Sequence, residues 1–450
     1  MARWLSRHAS NVTLNDSRSS DELSKAQADL KDTNVKWVTG SHPLDLLNDT
    51  DVLCLSGGVP LDLPIVQEAI KRGITVSNDS QIFMQMVPCR TIGITGSAGK
   101  TTTTTLVGEM AKLDHRGQNI ESSLFTVRRP RVYVGGNIGD PLINYVDEMQ
   151  PDDLAVLEFS SFQLEQMTIS PNIAAILNIT PNHLDRHGTM QAYTNAKTHI
   201  LDFQKKDDIA ILGRDNLAAW DLKDKVKGKL FTFSFSELEK KLNGAYLKDD
   251  VLYIRDGKQN IEVMPRHKIQ IRGDHNVRNV LAALTIGYAS GFSIESMAQV
   301  ITNFHGVAHR LELVRELKGV RWYNDSIATA PERSMAAINS FSEPIVLLLG
   351  GRDKKLPWND LAKLIHERVE HVIAFGEAGE MIEDVVSSIT IGRGVHLQLV
   401  KNLKEAVQSA AQVAQSGSVV LLSPGCTSFD EFADFAERGE RFKTWVLELS

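Results

Sequence analysis

Short β-rich runs recur along the chain: "DVLCLSGGV", "TIGITG", "LAVLEFS", "IAAILNIT", "PIVLLLGG", "HVIAFG" and "SVVLLSPG". Each is followed by a turn or loop and then by an amphipathic stretch. Several of the runs are apolar at every position instead of every second one. Alternation is what a strand with one wet face shows, whereas an unbroken apolar run marks a strand covered on both faces. The expected class is therefore α/β, built from parallel units with helices on both sides of the sheets.

A chain of 450 residues is too long for one ordinary core, so two or three domains are expected. Three blocks are read: 1–88, a small Rossmann-like α/β unit; 89–308, which carries a glycine-rich loop and a long helical region; and 309–450, a third, Rossmann-like α/β unit. Within the central block, 228–272 switches to alternating, turn-separated strands and is expected to form a small antiparallel insert. No internal repeat of 20–50 residues is visible. The opening "ARWLSRHAS" reads as a helix and "NVTLND" as the strand after it. A doubly wound domain normally begins with a strand and a glycine-rich turn, so the first block is read as lacking its first strand.

The balance of 49 Lys and Arg against 56 Asp and Glu gives a net charge of −7, which argues against a general nucleic-acid binder. Any anionic ligand must be held locally. Cys54, Cys89 and Cys426 lie far apart, form no zinc or redox spacing and suit a reducing compartment. No apolar run approaches the ~20 residues of a membrane span, and the start has no signal-peptide core. A cytoplasmic location is expected.

The stretch Ile92–Leu106, "IGITGSAGKTTTTTL", carries the clearest chemistry. It departs from G-x-x-x-x-G-K-[ST] at one place, where Ile94 stands for the first glycine. The mechanics survive: a strand ends in Gly96-Ser97-Ala98-Gly99, and Lys100-Thr101-Thr102 opens a helix. Backbone amides at that helix start favour phosphate oxygens, Lys100 adds a charge, and the Thr101 hydroxyl suits Mg²⁺. Read blandly, the same residues are a tight turn whose threonines cap a helix. Glu158 ends the run "LAVLEFS", where a metal-holding acid would stand, although a Glu there often just caps or pairs. "NITPNHLDRHGTMQAYTNAKTHI" then offers His183, Asp185, His187 and Lys197. The two histidines are four apart, but with no glutamate base between them zinc is a weak reading. Taken alone, this segment is equally a polar loop with capping side chains.

The motifs "ITGSAGKTT", "LEFSSFQLEQM", "NITPNHLDRHG", "YTNAK", "GDHNVRNVLAAL", "HRLELV", "YNDSIATAPE", "LLLGGRDK" and "LLSPGCTSFDEFADFAERGERF" occur in this order. Together, from about Asn11 onward, they resemble the Mur ligase family. The last three point to its branch that adds D-glutamate to UDP-N-acetylmuramoyl-L-alanine. The shortened phosphate loop is this family's own version, so Ile94 is no sign of decay. The resemblance implies an ATP-driven amide ligase of cytoplasmic peptidoglycan synthesis, acting through an acyl phosphate, monomeric, with neither nucleic-acid nor membrane partner.

It further implies two Mg²⁺ sites, one at Thr101 and Glu158, the other at His183 and a CO₂-carbamylated Lys197. Catalytic roles fall to Lys100, Glu158, His183 and Lys197. The nucleotide is assigned to Gly96–Thr102, Asn276, Asn279, Arg310 and Asp325. A hinge-borne Arg310 reaches phosphates after closure. D-Glutamate falls to Thr329, Lys354, Ser428 and Phe435, and the sugar nucleotide to Asp16, Ser17, Arg18, Ser56 and Asn137. Some members of the class have lysine where "NDSIATA" has Ile327, and that charge is expected to pass to Arg352 or Lys355. The alternatives are a ligase for another amino acid or a folyl acid, and a non-catalytic binder of ATP or UDP-sugar. A GTPase is disfavoured because no N-K-x-D occurs.

Overall fold

The computed structural model describes residues 1–9, 11–57, 59–117, 128–139, 141–389 and 394–450, without the side chains of 116, 117 and 185. They divide into two compact units. The first comprises Met1–Ile269 with Asp274–Asn303, the second Gln270–Gly273 with Phe304–Ser450.

The first unit opens with the helix Ala2–His8, which buries Trp4, followed by β1 (Val12–Asp16). β1 pairs in parallel with β2 (Val35–Thr39), and β3 (Val52–Leu55) with β4 (Thr75–Asn78). The early α/β block is thus two separate parallel pairs; the β3–β4 pair packs Leu55 into a small core with Leu47, Ile65, Val66 and Ala69.

A nine-stranded sheet follows. Its strands are β5 (Arg90–Thr95), β6 (Val132–Gly136), β7 (Leu154–Glu158), β8 (Ile173–Ile176), β9 (Ile209–Gly213), β10 (Lys229–Ser234), β11 (Asn243–Lys248), β12 (Val251–Asp256) and β13 (Gln259–Pro265), in the order β13-β12-β11-β10-β9-β8-β5-β7-β6. β5, β7, β8 and β9 are buried at nearly every position, which is why their sequences are unbroken apolar runs. The antiparallel character expected over 228–272 is confined to β11–β13. β10 is parallel to both β9 and β11, so the segment widens the main sheet and does not stand apart from it. Exposure grows toward the edge: β11 is buried at four successive positions, whereas β13 is largely open to solvent. A glycine is required at the joint. Gly244 has φ +134°, and a Cβ there would lie 1.7 Å from the Thr232 carbonyl oxygen.

The second unit holds a six-stranded sheet of β14 (Glu312–Leu317), β15 (Val320–Asn324), β16 (Ile345–Gly350), β17 (His371–Phe375), β18 (His396–Leu399) and β19 (Val419–Gly425), ordered β14-β15-β19-β16-β17-β18. All pairs are parallel except β14–β15. Period 2 sorts β16 cleanly: Ile345, Leu347 and Leu349 enter one core, while Val346 and Leu348 enter the core on the other face.

Gly244→Ala is expected to destabilise the protein by about 2 kcal/mol or more, because the new methyl meets backbone in a conformation that side chains avoid. Thermal unfolding checks this; an unchanged melting temperature would contradict it.

Candidate active site

β5 sits between β7 and β8, and the register fixes what meets at their carboxyl ends. Ile94 pairs with Glu158 and Thr95 with Ile176. The loop 96–99 leaves β5 there, at the crevice where ligands of open α/β sheets bind. Its shape is held from β8's exit. Asn178 Oδ1 accepts the Ala98 N–H (2.9 Å), its Nδ2 donates to Ala98 O (3.0 Å), and its carbonyl accepts the Ser97 N–H (2.9 Å). Gly99 has φ +84°, and a Cβ on it would lie 2.1 Å from Asn279 Oδ1. Any side chain there would be strained and would push the Asn279 amide aside. The helix Lys100–Gly117 follows directly, so its first amides face the crevice.

Lys100 Nζ folds back onto Gly96 O (3.0 Å) and Ser97 O (3.4 Å). Thr101 Oγ1 donates to Glu158 Oε2 (2.9 Å), and Asn137 Nδ2 donates to Glu158 Oε1 (3.0 Å). A buried carboxylate beside a hydroxyl and a phosphate loop suits Mg²⁺, which takes one or two protein oxygens and completes its shell with phosphate and water. Asn137, expected at the sugar nucleotide, therefore stands next to the phosphate loop. Its backbone follows Gly136, where a Cβ would meet Glu158 O at 2.4 Å.

Lys197 lies on the helix Met190–Asp202 and is 1% exposed. Its Nζ donates to Gly96 O (3.0 Å) and Thr95 Oγ1 (3.3 Å) and sits 4.8 Å from the Tyr193 ring centroid. Burial, reinforced by the charge of Lys100 and opposed by Glu158, pulls its ammonium down to about 7. His183 and His187 both pack on Phe162, edge-on at 5.4 Å and stacked at 5.0 Å. His187 also reaches Ser161 Oγ (2.9 Å), and burial lowers its pKa. His183 holds an unusual left-handed backbone, φ 53°. The pair shares an aromatic ring, and among the described residues no cluster of three or more His, Cys, Asp or Glu is found. The Asp185 side chain lies outside those described.

Asn279, on the helix Asp274–Ser290, donates to Asn276 Oδ1 (3.1 Å). A cavity of about 220 Å³ opens beside it, lined by Asn178, Gly213, Asp215, Phe233, Arg278 and Asn279 among others. On the first strand pairs, Asp16 is bound by Arg18 (2.7 Å), whose hydrogen bonds lower its carboxyl to about 2, with Ser17 between them; Ser56 follows β3.

In the second unit, Asp325 is buried and pushed up to about 7, even though it accepts from Ser423 Oγ (2.8 Å) and the Leu311 N–H (3.2 Å). Arg310 stands between two left-handed residues, His309 (φ 63°) and Leu311 (φ 43°), a strained turn of the kind that occurs at functional sites. Lys354 Nζ donates to Thr329 Oγ1 (3.1 Å), Ser428 is buried, and Phe435 opens the helix Phe435–Glu448. Arg352 forks onto Glu377 at 2.8 Å twice, and Lys355 turns left-handed (φ 57°). The cation whose guanidinium reaches the Ile327 carbonyl is Arg333 (3.2 Å). Sequence reasoning missed Asn178 and Tyr193, although both lie in segments it singled out, "ILNIT" and "YTNAK".

Family profiles match along the chain: Mur ligase MurD-like N-terminal domain over 1–78, Mur ligase middle domain over 94–287, and Mur ligase glutamate ligase domain over 309–426. The UDP-N-acetylmuramoylalanine–D-glutamate ligase of Clostridium kluyveri is 38% identical over 449 residues, covering 99% of this chain and 93% of its own. The chain belongs to the Mur ligase family. The enzyme of the same name from Koribacter versatilis is 39% identical, covering 100% and 94%. MurF from Acinetobacter baumannii (TM-score 0.57, 17% identity, 99% of this chain and 92% of that one) shares the fold. So does the UDP-N-acetylmuramate-alanine ligase MurC from Thermotoga maritima (0.55, 19%, 93% and 90%). As a Mur ligase the protein is an ATP-dependent, carbon–nitrogen bond-forming enzyme of peptidoglycan synthesis.

Lys197 predicts a pH effect whose sign is fixed. Between about pH 7 and 10.5 the unfolded chain holds a proton on this lysine that the folded chain has lost. Stability attributable to it therefore rises with pH across that window, and the burial penalty is fully present below it. Denaturant unfolding should show the stability gap between Lys197→Met and the parent narrowing from pH 7 to 10. A gap independent of pH would contradict the assignment.

Proposed function

We propose that this chain joins D-glutamate to UDP-N-acetylmuramoyl-L-alanine, and that the central observation is the meeting of phosphate loop, Glu158 and a cationically weakened Lys197 at the carboxyl ends of β5 and β7. The names of relatives 38–39% identical over nearly the whole chain support the substrate pair. The chemistry fits it. A substrate carboxylate attacks the ATP γ-phosphate, ADP leaves, and an acyl phosphate forms; the amine of D-glutamate then displaces phosphate and loses a proton. Such a reaction needs charge neutralisation and in-line placement more than proton transfer.

Loop amides of Gly96–Thr102 and the Lys100 ammonium hold phosphate oxygens. Thr101 and Glu158 are the residues to hold one Mg²⁺, and Asn137 orients Glu158 through its 3.0 Å hydrogen bond. An unmodified lysine is no metal ligand. Lys197, pulled to about 7, is substantially neutral near neutral pH, which is the form that adds to CO₂. The carbamate so formed, with release of one proton, is an oxygen ligand, and with His183 it is proposed for a second Mg²⁺. When bound, the two cations screen the repulsion between substrate carboxylate and phosphate.

Asn279, which lines the 220 Å³ cavity, and its partner Asn276 are assigned to the adenosine end of the nucleotide, and Arg310 and Asp325 are likewise assigned to the nucleotide. Thr329, Lys354, Ser428 and Phe435 are assigned to D-glutamate, and Asp16, Ser17, Arg18, Ser56 and Asn137 to the sugar nucleotide. In this reading residues 1–88, 89–308 and 309–450 serve sugar nucleotide, ATP and amino acid respectively. The enzyme is placed in the cytoplasm, as a monomer, on its resemblance to this family of peptidoglycan precursor synthesis.

The test is ADP release and product mass with ATP, Mg²⁺ and UDP-N-acetylmuramoyl-L-alanine, offering D-glutamate, L-glutamate, L-lysine and meso-diaminopimelate one at a time. Turnover with D-glutamate alone is expected. Turnover with another amino acid, or with none, would overturn the substrate reading.

A further inference from the structure

Arg438 is 0% exposed, yet its guanidinium stays charged at any physiological pH. Its hydrogen-bond acceptors are neutral oxygens: Ser326 Oγ (3.0 Å), Ser326 O (2.9 Å), Thr427 O (3.0 Å) and Cys426 O (3.1 Å). Asp430 and Glu431 act on it only through space, and burial pulls it down to about 10. Removing a guanidinium from water without a hydrogen-bonded carboxylate is costly, so such a group persists where something else requires it.

The requirement is visible in what it touches. Ser326 belongs to the loop that carries Thr329. Cys426 and Thr427 precede Ser428. Gly351 begins the loop that carries Lys354, and a Cβ there would lie 3.0 Å from Arg438 Nη1. Phe435 stands one turn earlier on the same helix, and its carbonyl accepts from Ser326 Oγ (2.7 Å). The Arg352 and Thr427 backbones exchange two hydrogen bonds (2.9 and 3.0 Å), locking two of these loops together over the guanidinium.

We propose that Arg438 is the positioning residue of the amino-acid subsite: its guanidinium ties the loop carrying Thr329 to the loop carrying Ser428, which the Arg352–Thr427 backbone bonds join to the loop of Lys354, and it sets a buried positive charge beneath all three. The proposal rests on assigning those residues to D-glutamate.

The test uses full-length Arg438→Met, Arg438→Lys and Ser326→Ala. Two rates are compared: ligation against D-glutamate concentration, and the amino-acid-independent half-reaction, read as hydroxamate trapped by hydroxylamine from ATP and the sugar nucleotide. For Arg438→Met the KM for D-glutamate should rise about 30-fold or more, with hydroxamate formation held within about twofold. Arg438→Lys, which keeps the charge and loses the fork, should rise about tenfold, and Ser326→Ala about fivefold. Should Arg438→Met fail to fold, the other two variants decide. An unchanged KM in both overturns the role, as does an equal loss of both rates, which would mark a purely structural residue. A parent that traps hydroxamate but never uses D-glutamate overturns the substrate reading and this proposal with it; a parent that uses D-glutamate beside variants of unchanged KM overturns this proposal alone.

Discussion

The structure depends on a register. Because Ile94 lies opposite Glu158 on one side of β5, and Thr95 opposite Ile176 on the other, three chain segments end at one level. One delivers the phosphate loop, one a carboxylate, one the asparagine that braces the loop. A shift of a single residue would turn Glu158 to the other face of the sheet and remove the acceptor for Thr101. Burial of both faces of β5, β7 and β8 holds that register together with the bonds between them, such as Thr95 Oγ1 to the Phe159 carbonyl (2.8 Å), so the apolar runs that look like mere core help to place the chemistry.

The same site shows how the chain uses desolvation. Glu158 and Lys197 are both buried within reach of the loop, but they are treated differently. Glu158 accepts from Thr101 and Asn137 and keeps two oxygens that a cation can use. Lys197 meets only a carbonyl, a hydroxyl and an aromatic face, with the repelling charge of Lys100 nearby. The result is an amine whose basicity is set by its surroundings. In the second unit Asp325 shows the opposite displacement from the same cause, a carboxyl raised by burial beside a strained turn.

Much of this was legible in the sequence. Continuous apolar runs announced buried parallel strands, and the Gly-Lys-Thr context announced a helix start fit for phosphate. Lys197 could be singled out only by resemblance, because its burial is made by residues far away in sequence, Thr95 and Gly96. Asn178 escaped notice for the same reason: an asparagine after a strand has no signature until the loop it braces is in place. The strands β11–β13 read as an independent insert because turn-separated alternation reports local hairpins, and says nothing about which sheet the first of them joins. Arg438 was invisible in "FAERGERF", where its neighbours are charged and a solvated helix face is the natural reading.

The account turns on a lysine whose ammonium gives up its proton near pH 7. Nuclear magnetic resonance of the protein labelled at lysine Cε, titrated from pH 5.5 to 11 in CO₂-free buffer, addresses it directly. One signal, absent in Lys197→Met, should titrate near pH 7. If every lysine titrates near 10.5, the buried amine is charged and the account fails.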